Sequence, residues 1–223
     1  MLLQPQQGLC FEAHHLGRQG QAPPWTSRAF PYGGFYIMRS DWSAEARYLV
    51  FDGGDFCHFG RAYLPALTPR SWSYVSTLGM LGTALPTALA AKLAHPERRV
   101  VMLTGDGAFG FNGMEFDTAV RHNLAITAIL GNDSAWGIDR QIQLGVFGRT
   151  AATDLLPTRY DEIVKAMGGH GELVQDPAEL PAAIKRAFAT DRPSLINVQV
   201  QRAISPRAEA AIARWKSHAP LPM

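Results

Sequence analysis

Cysteine is nearly absent: Cys10 and Cys57 are the only two in 223 residues. Two cysteines so far apart build neither a disulfide framework nor a thiolate metal cluster, and reduced thiols in a cytoplasmic protein are the expectation. No apolar stretch approaches the roughly 18 residues that cross a bilayer, so no membrane partner is expected. Charge is sparse and balanced, with a formal net charge of +2 and 18% charged residues. No basic cluster is interleaved with aromatics, which argues against nucleic acid as a partner. The first residues, Met1-Leu-Leu-Gln-Pro-Gln-Gln, hold neither a basic run nor a long apolar one, and no secretory leader is expected. Arg18 and Arg28 carry the bias of an organellar transit segment, which Glu12 and the prolines oppose. The sequence has no internal repeat. No Gly-x-Gly-x-x-Gly turn follows the first predicted strand, which excludes a dinucleotide fingerprint there.

The sequence does have ample apolar content, 47%, enough for one domain with extensions. Residues 1–41 show no period. Gln, Pro, Gly and aromatics alternate, and the segment reads as an arm or linker, packed on a neighbour or left from a larger upstream region. His14 and His15 sit in this polar stretch as solvated histidines do, and Glu12 is given no catalytic role. From Trp42 strands and helices alternate. Predicted strands are Arg47–Asp52, Arg99–Thr104, Ala125–Leu130, His170–Val174 and Pro193–Val200. Predicted helices follow Pro86, run from Tyr160 to Met167 before Gly168-Gly169, and span Ala178–Ala189 behind an Asp176-Pro177 cap. A last helix, Arg207–Ser217, is amphipathic through Ala208, Ile212 and Trp215. Asp139–Arg149 is polar and broken by glycine, and reads as a mobile loop over the site, with Gln141, Gln143 and Phe147 as candidates for substrate contact that the sequence leaves unassigned. This alternation predicts an α/β doubly wound parallel sheet with helices on both faces over residues 42–203, and a C-terminal helix over 204–223.

The centre of the chain is Gly105-Asp106-Gly107-Ala108-Phe109. It follows a buried strand, and Asn112 is placed to cap the next helix with Glu115 as return partner. A glycine turn at a strand's carboxyl end offers backbone N–H groups to an anion. It also carries a carboxylate, which repels a bare phosphate and fits a cation between them. The next strand ends in Gly131-Asn132-Asp133, so a parallel sheet brings Asp106 and Asp133 to one edge. Two carboxylate oxygens, a loop carbonyl, a water and two diphosphate oxygens would complete an octahedral Mg²⁺ site. Asp139 and Asp117 are the rival acids.

The run from Gly105 to Leu124, with the Asn132-Asp133 pair, resembles the thiamine-diphosphate motif of the acetolactate synthase and 2-hydroxyacyl-CoA lyase superfamily. The resemblance implies Asp106 as first metal ligand, Asp133 as second at the family's spacing, and the Ala135 carbonyl as third. Relatives usually carry Asn where Asp133 stands. Gly107 and Ala108 belong to the same cofactor turn. Ser134 to Ile138, including Trp136 and Gly137, would close over the diphosphate with backbone N–H groups. Trp136 either walls the site or fills core. The segment Gly79-Met-Leu-Gly-Thr-Ala-Leu-Pro86 resembles the family loop around the aminopyrimidine. There the Gly79 carbonyl would take the exocyclic amine. Leu81 would bend the cofactor so that this amine meets the thiazolium carbon; its other reading is helix-start packing. Asp55 and Phe56 fall where relatives hold the diphosphate, and a turn or cap is the competing reading of Asp55. Cys57 and His58 are assigned to packing.

The implied protein is the diphosphate-binding part of a C–C lyase or transferase acting on 2-oxo acids or 2-hydroxyacyl substrates. Its catalytic glutamate would come from an aminopyrimidine-binding domain or subunit, and none of the residues here is assigned a catalytic role. A homo- or hetero-oligomer completed in trans follows, either a split enzyme like the two-subunit sulfopyruvate-type decarboxylases or a piece of a longer chain, with the isolated chain inactive. The alternative is a non-catalytic cofactor-binding or assembly module of the same family.

Overall fold

The computed structural model describes residues 27–30, 35–38, 47–64, 66, 71–74 and 78–217. Cys10, Glu12, His14, His15 and Trp42 lie outside them. The segment read as irregular contains an antiparallel pair, β1 (Ser27–Phe30) and β2 (Phe35–Met38). The remaining strands are β3 (Arg47–Asp52), β4 (Trp72–Tyr74), β5 (Arg99–Gly105), β6 (Ile126–Asn132), β7 (His170–Val174) and β8 (Ser194–Gln199). They form one parallel sheet in the order β4-β3-β5-β6-β8-β7.

Both faces of the sheet are buried, and the side chains alternate accordingly. Val50, Val100 and Met102 face one core with Leu85, Ala88 and Leu89 of α2 (Ala84–Ala94), and with Phe116 and Ala119 of α4 (Phe116–Arg121). Val164 of α6 (Tyr160–Ala166) joins the same core. Leu49, Phe51, Val101 and Leu103 face the opposite side with Cys57 of α1 (Asp55–Tyr63). There α7 (Leu180–Ala189) packs Leu180, Ala183 and Ile184 on Val174 and Ile196. Asp176 accepts the Ala178 N–H, the predicted cap, although a single 3₁₀ turn intervenes before α7.

Three local readings are corrected. The helix after the Gly-Asp-Gly turn does not wait for Asn112: α3 (Asp106–Asn112) begins at Asp106, directly off β5. Asn112 makes no side-chain cap, and its amide donates to the Gly82 carbonyl at 2.9 Å. Residues 139–147 are not a loop but lie in α5 (Gly137–Phe147), which ends at Gly148 with φ +69°. Gly145, read as a breaker, is a contact glycine: a Cβ there would lie 2.5 Å from Ile212 of α8 (Pro206–Ser217). On α8 itself, Ala208 is buried but Trp215 is 59% exposed, so Trp215 is not on the packed face.

The chain leaves β3 toward β4 and returns to β5 on β3's other side. The carboxyl ends of β3 and β5 therefore sit at a topological switch point, where a crevice opens in such sheets.

Candidate functional site

A cleft of about 270 Å³ occupies that switch point. The backbones close in where glycine allows it. Gly53 leaves β3 with φ +97°, and a Cβ on it would lie 3.1 Å from the Gly105 nitrogen. A Cβ on Gly107 would lie 2.7 Å from the Trp136 ring, so that indole lies directly over the start of α3. Gly79, Leu81, Asp106, Gly107, Ala108, Asp133, Ala135, Trp136 and Gly137 all line this one cleft. Trp136 both walls the cleft and packs, edge to face, on Phe111 at 5.9 Å between centroids.

Asp106 is 2% exposed, and one of its oxygens accepts the Ala135 N–H at 3.3 Å. Burial, then the charge of Asp133, pushes its carboxyl up to about 7. Burial also raises Asp133, against the pull of Arg202. Asp55 is raised by burial and then, in smaller part, by Asp133 and Asp139. The four acids line the cleft, and among the described residues no Lys or Arg lines it. Such a lining is unfavourable to a bare phosphate and offers oxygen ligands to a cation.

Ala135, whose carbonyl is the third expected ligand, lines the same cleft. Ala135 pairs with Asp154 in an isolated antiparallel bridge, through Trp136 N–H to the Thr153 carbonyl and Leu155 N–H to the Ser134 carbonyl. Ala135 is thus the non-hydrogen-bonded member, and its carbonyl stays out of the ladder. Two carboxylates and that carbonyl would together make a hard oxygen set suited to Mg²⁺. No group of three or more His, Cys, Asp or Glu side chains suited to a metal occurs among the described residues.

The N–H groups of Ser134, Ala135 and Trp136 are spent on Asn132 Oδ1, Asp106 and Thr153. The first turn of α5, Gly137 to Asp139, lines the same cleft, and its N–H groups have no intrahelical partner.

Other assignments divide. Asp117 is exposed and paired with Arg121 at 2.6 Å, away from the cleft. Asp55 lines the cleft as the first residue of α1; one oxygen accepts the Ser205 N–H at 3.1 Å, and the other is buried without a partner. Phe56 packs its ring on Gly131. Cys57 is in the core, its thiol raised by burial, whereas His58 lines the cleft. Burial, then the charge of Arg61, lowers His58 to about 4. Gln141, Gln143 and Phe147 do not line the cleft, and Gln143 instead accepts the Ala151 N–H.

The sequence reading missed the residues that hold the site from behind. Asp52, 1% exposed, accepts the Ala84 N–H at 3.0 Å and fastens the start of α2 to β3. Asn132 donates to Asn197, which donates to Asp161 at 2.9 Å. Burial pushes Asp161 up, but Arg159 and Asn197 outweigh it and hold the carboxyl below its ordinary range.

The family described as thiamine pyrophosphate enzyme, C-terminal TPP binding domain, matches residues 52–198. The chain is 48% identical over 151 residues to a probable acetolactate synthase of Mycobacterium bovis, covering 67% of this chain and 28% of that protein. The acetolactate synthase large subunit of Mycobacterium tuberculosis matches with the same figures. The 2-hydroxyacyl-CoA lyase of Arabidopsis thaliana is 35% identical over 156 residues, 67% of this chain and 27% of that protein. The chain thus spans little more than a quarter of the length of these relatives.

Proposed function

The chain belongs to the thiamine-pyrophosphate enzymes through their C-terminal cofactor-binding domain, and on that premise we propose that it binds thiamine diphosphate through Mg²⁺ held by Asp106, Asp133 and the Ala135 carbonyl. The observation that carries this reading is the convergence of Asp106 and Asp133 on one cleft that none of the described Lys or Arg residues lines. The bound cofactor supplies the carbanion and electron sink next to a substrate carbonyl. The chain's own residues bind and orient. The first turn of α5 receives the diphosphate, Leu81 and Trp136 wall the ring system, and the Gly79 carbonyl accepts the amine. Gly79 has φ +63° and Leu81 lines the same cleft, which suits both to this task.

The proposed activity is that of an acetolactate-synthase-like lyase or transferase acting on 2-oxo acids or 2-hydroxyacyl substrates. No glutamate lines the cleft among the described residues, so the glutamate that engages the pyrimidine is assigned to another domain or chain. Leu78, Met80, Phe111 and Met114, all more than half exposed, supply apolar surface on the cofactor loop and the segment after Gly105, which suits docking of that partner. The assembly is proposed as an oligomer in the cytoplasm. No helix among the described residues is long and apolar enough to cross a membrane. The same missing glutamate favours a second reading, a non-catalytic cofactor-binding module.

Reconstitution with an aminopyrimidine-binding partner separates the two. Activity that appears only in the complex and disappears in Asp106→Ala is the expected result. A complex that binds the cofactor yet stays inactive on both substrate classes supports the second reading. Activity retained in Asp106→Ala overturns the cation-site assignment.

A further inference from the structure

Past β8 the chain does not leave the site. The Val200 N–H donates to the Asn132 carbonyl at 3.0 Å, and Val200, Gln201 and Ala203 line the cleft. Between them Arg202 turns onto the loop that carries Asp133. Its Nε donates to the Asp133 carbonyl at 3.0 Å, and one Nη donates to the Ser134 carbonyl at 2.8 Å. The other Nη pairs with Asp154 at 3.0 Å, the residue bridged to Ala135.

This loop needs holding. Ser134 has φ +53°, a region that residues with a Cβ rarely adopt and keep only when their surroundings over-determine it. Two successive carbonyls pointing at one guanidinium fix the orientation of two successive peptides. The Ala135 carbonyl is then left to point elsewhere, while the Ala135 N–H holds Asp106. A planar fork can hold two acceptors at once, whereas an ammonium is a point donor. Arg202 also takes carbonyls and not the Asp133 carboxylate, so it brings positive charge close without occupying the acid.

We propose that Arg202 is a positioning residue for the cation site, holding the Asp133–Ala135 loop so that the Asp133 carboxylate and the Ala135 carbonyl converge with Asp106. The inference rests on the cation reading above. Partners one shell behind metal ligands typically set affinity by about 10- to 100-fold.

The test uses the full chain, with Mn²⁺ titrated in the presence of thiamine diphosphate and followed by electron paramagnetic resonance. Hydrogen exchange of the amides of residues 134–137 is read in parallel without metal. Arg202→Ala is expected to weaken Mn²⁺ binding about tenfold or more and to speed that exchange, with little change in the melting temperature of the metal-free chain. Arg202→Lys is expected to recover part of both losses. Asp154→Asn, which leaves both carbonyl contacts, is expected to bind close to wild type. Unchanged Mn²⁺ affinity in Arg202→Ala, with a wild type that binds, overturns the inference alone. An affinity loss matched by a general loss of stability and not relieved by Lys also overturns it. A wild-type chain that takes up no Mn²⁺ overturns the cation reading, and this inference with it.

Discussion

The backbone N–H of Ala135 donates to the carboxylate of Asp106 at 3.3 Å, across the seam between β5 and β6. This one bond ties two loops that are separate in sequence, and it joins the two halves of the proposed cation site. Without a cation, this bond, neighbouring N–H groups and a hydrogen bond to the Asp133 carboxylate hold the buried acid.

The metal-free chain should lose stability as pH rises. Asp106 has its folded pKa raised to about 7, above its unfolded value, by burial and then by Asp133. Its protonated form is the one the fold favours. That contribution is fully present below the unfolded value and is lost as pH rises through about 7. Melting temperatures between pH 5 and 8 should therefore fall, and Asp106→Asn should flatten the slope. A slope unchanged in the variant would remove Asp106 as its source.

Gly107→Ala should destabilise the fold, because its Cβ would lie 2.7 Å from the Trp136 ring. Overpacking of this kind costs about 1–3 kcal/mol. Urea unfolding measures it, and a variant as stable as wild type would mean that the indole moves aside freely.

Asn197→Ala should cost about 1–3 kcal/mol, because Asn132 and Asp161 each lose a buried partner. Hydrogen exchange should show the loss spreading to residues 132–135. Destabilisation with no change in that loop would separate the network from the site.

Much of this architecture was legible in the sequence. The apolar run Arg47–Asp52, closed by glycines, and the short stretch His170–Val174 behind Gly168-Gly169 form strands over those spans. Nine cofactor candidates were placed through one long motif and one glycine loop, and the fold gathers them around one cleft. The illegible parts are those whose cause is distant in sequence. Gly145 looks like a breaker until Ile212 is packed on it. Asp52 caps a helix that starts 32 residues later, with no local pattern to announce it. Arg202 reaches back 69 residues to a carbonyl, and carbonyls carry no residue identity. Asn112 looked like a cap because nothing local shows that α3 starts directly off β5.

The most direct test of the central claim is the melting temperature of the purified chain with thiamine diphosphate, with and without Mg²⁺. At about 100 times the dissociation constant, a ligand stabilises the native state by about 2.7 kcal/mol. The account predicts a clear upward shift that requires both Mg²⁺ and the cofactor and is absent in Asp106→Ala. A shift of equal size without Mg²⁺, or one retained in Asp106→Ala, would contradict it.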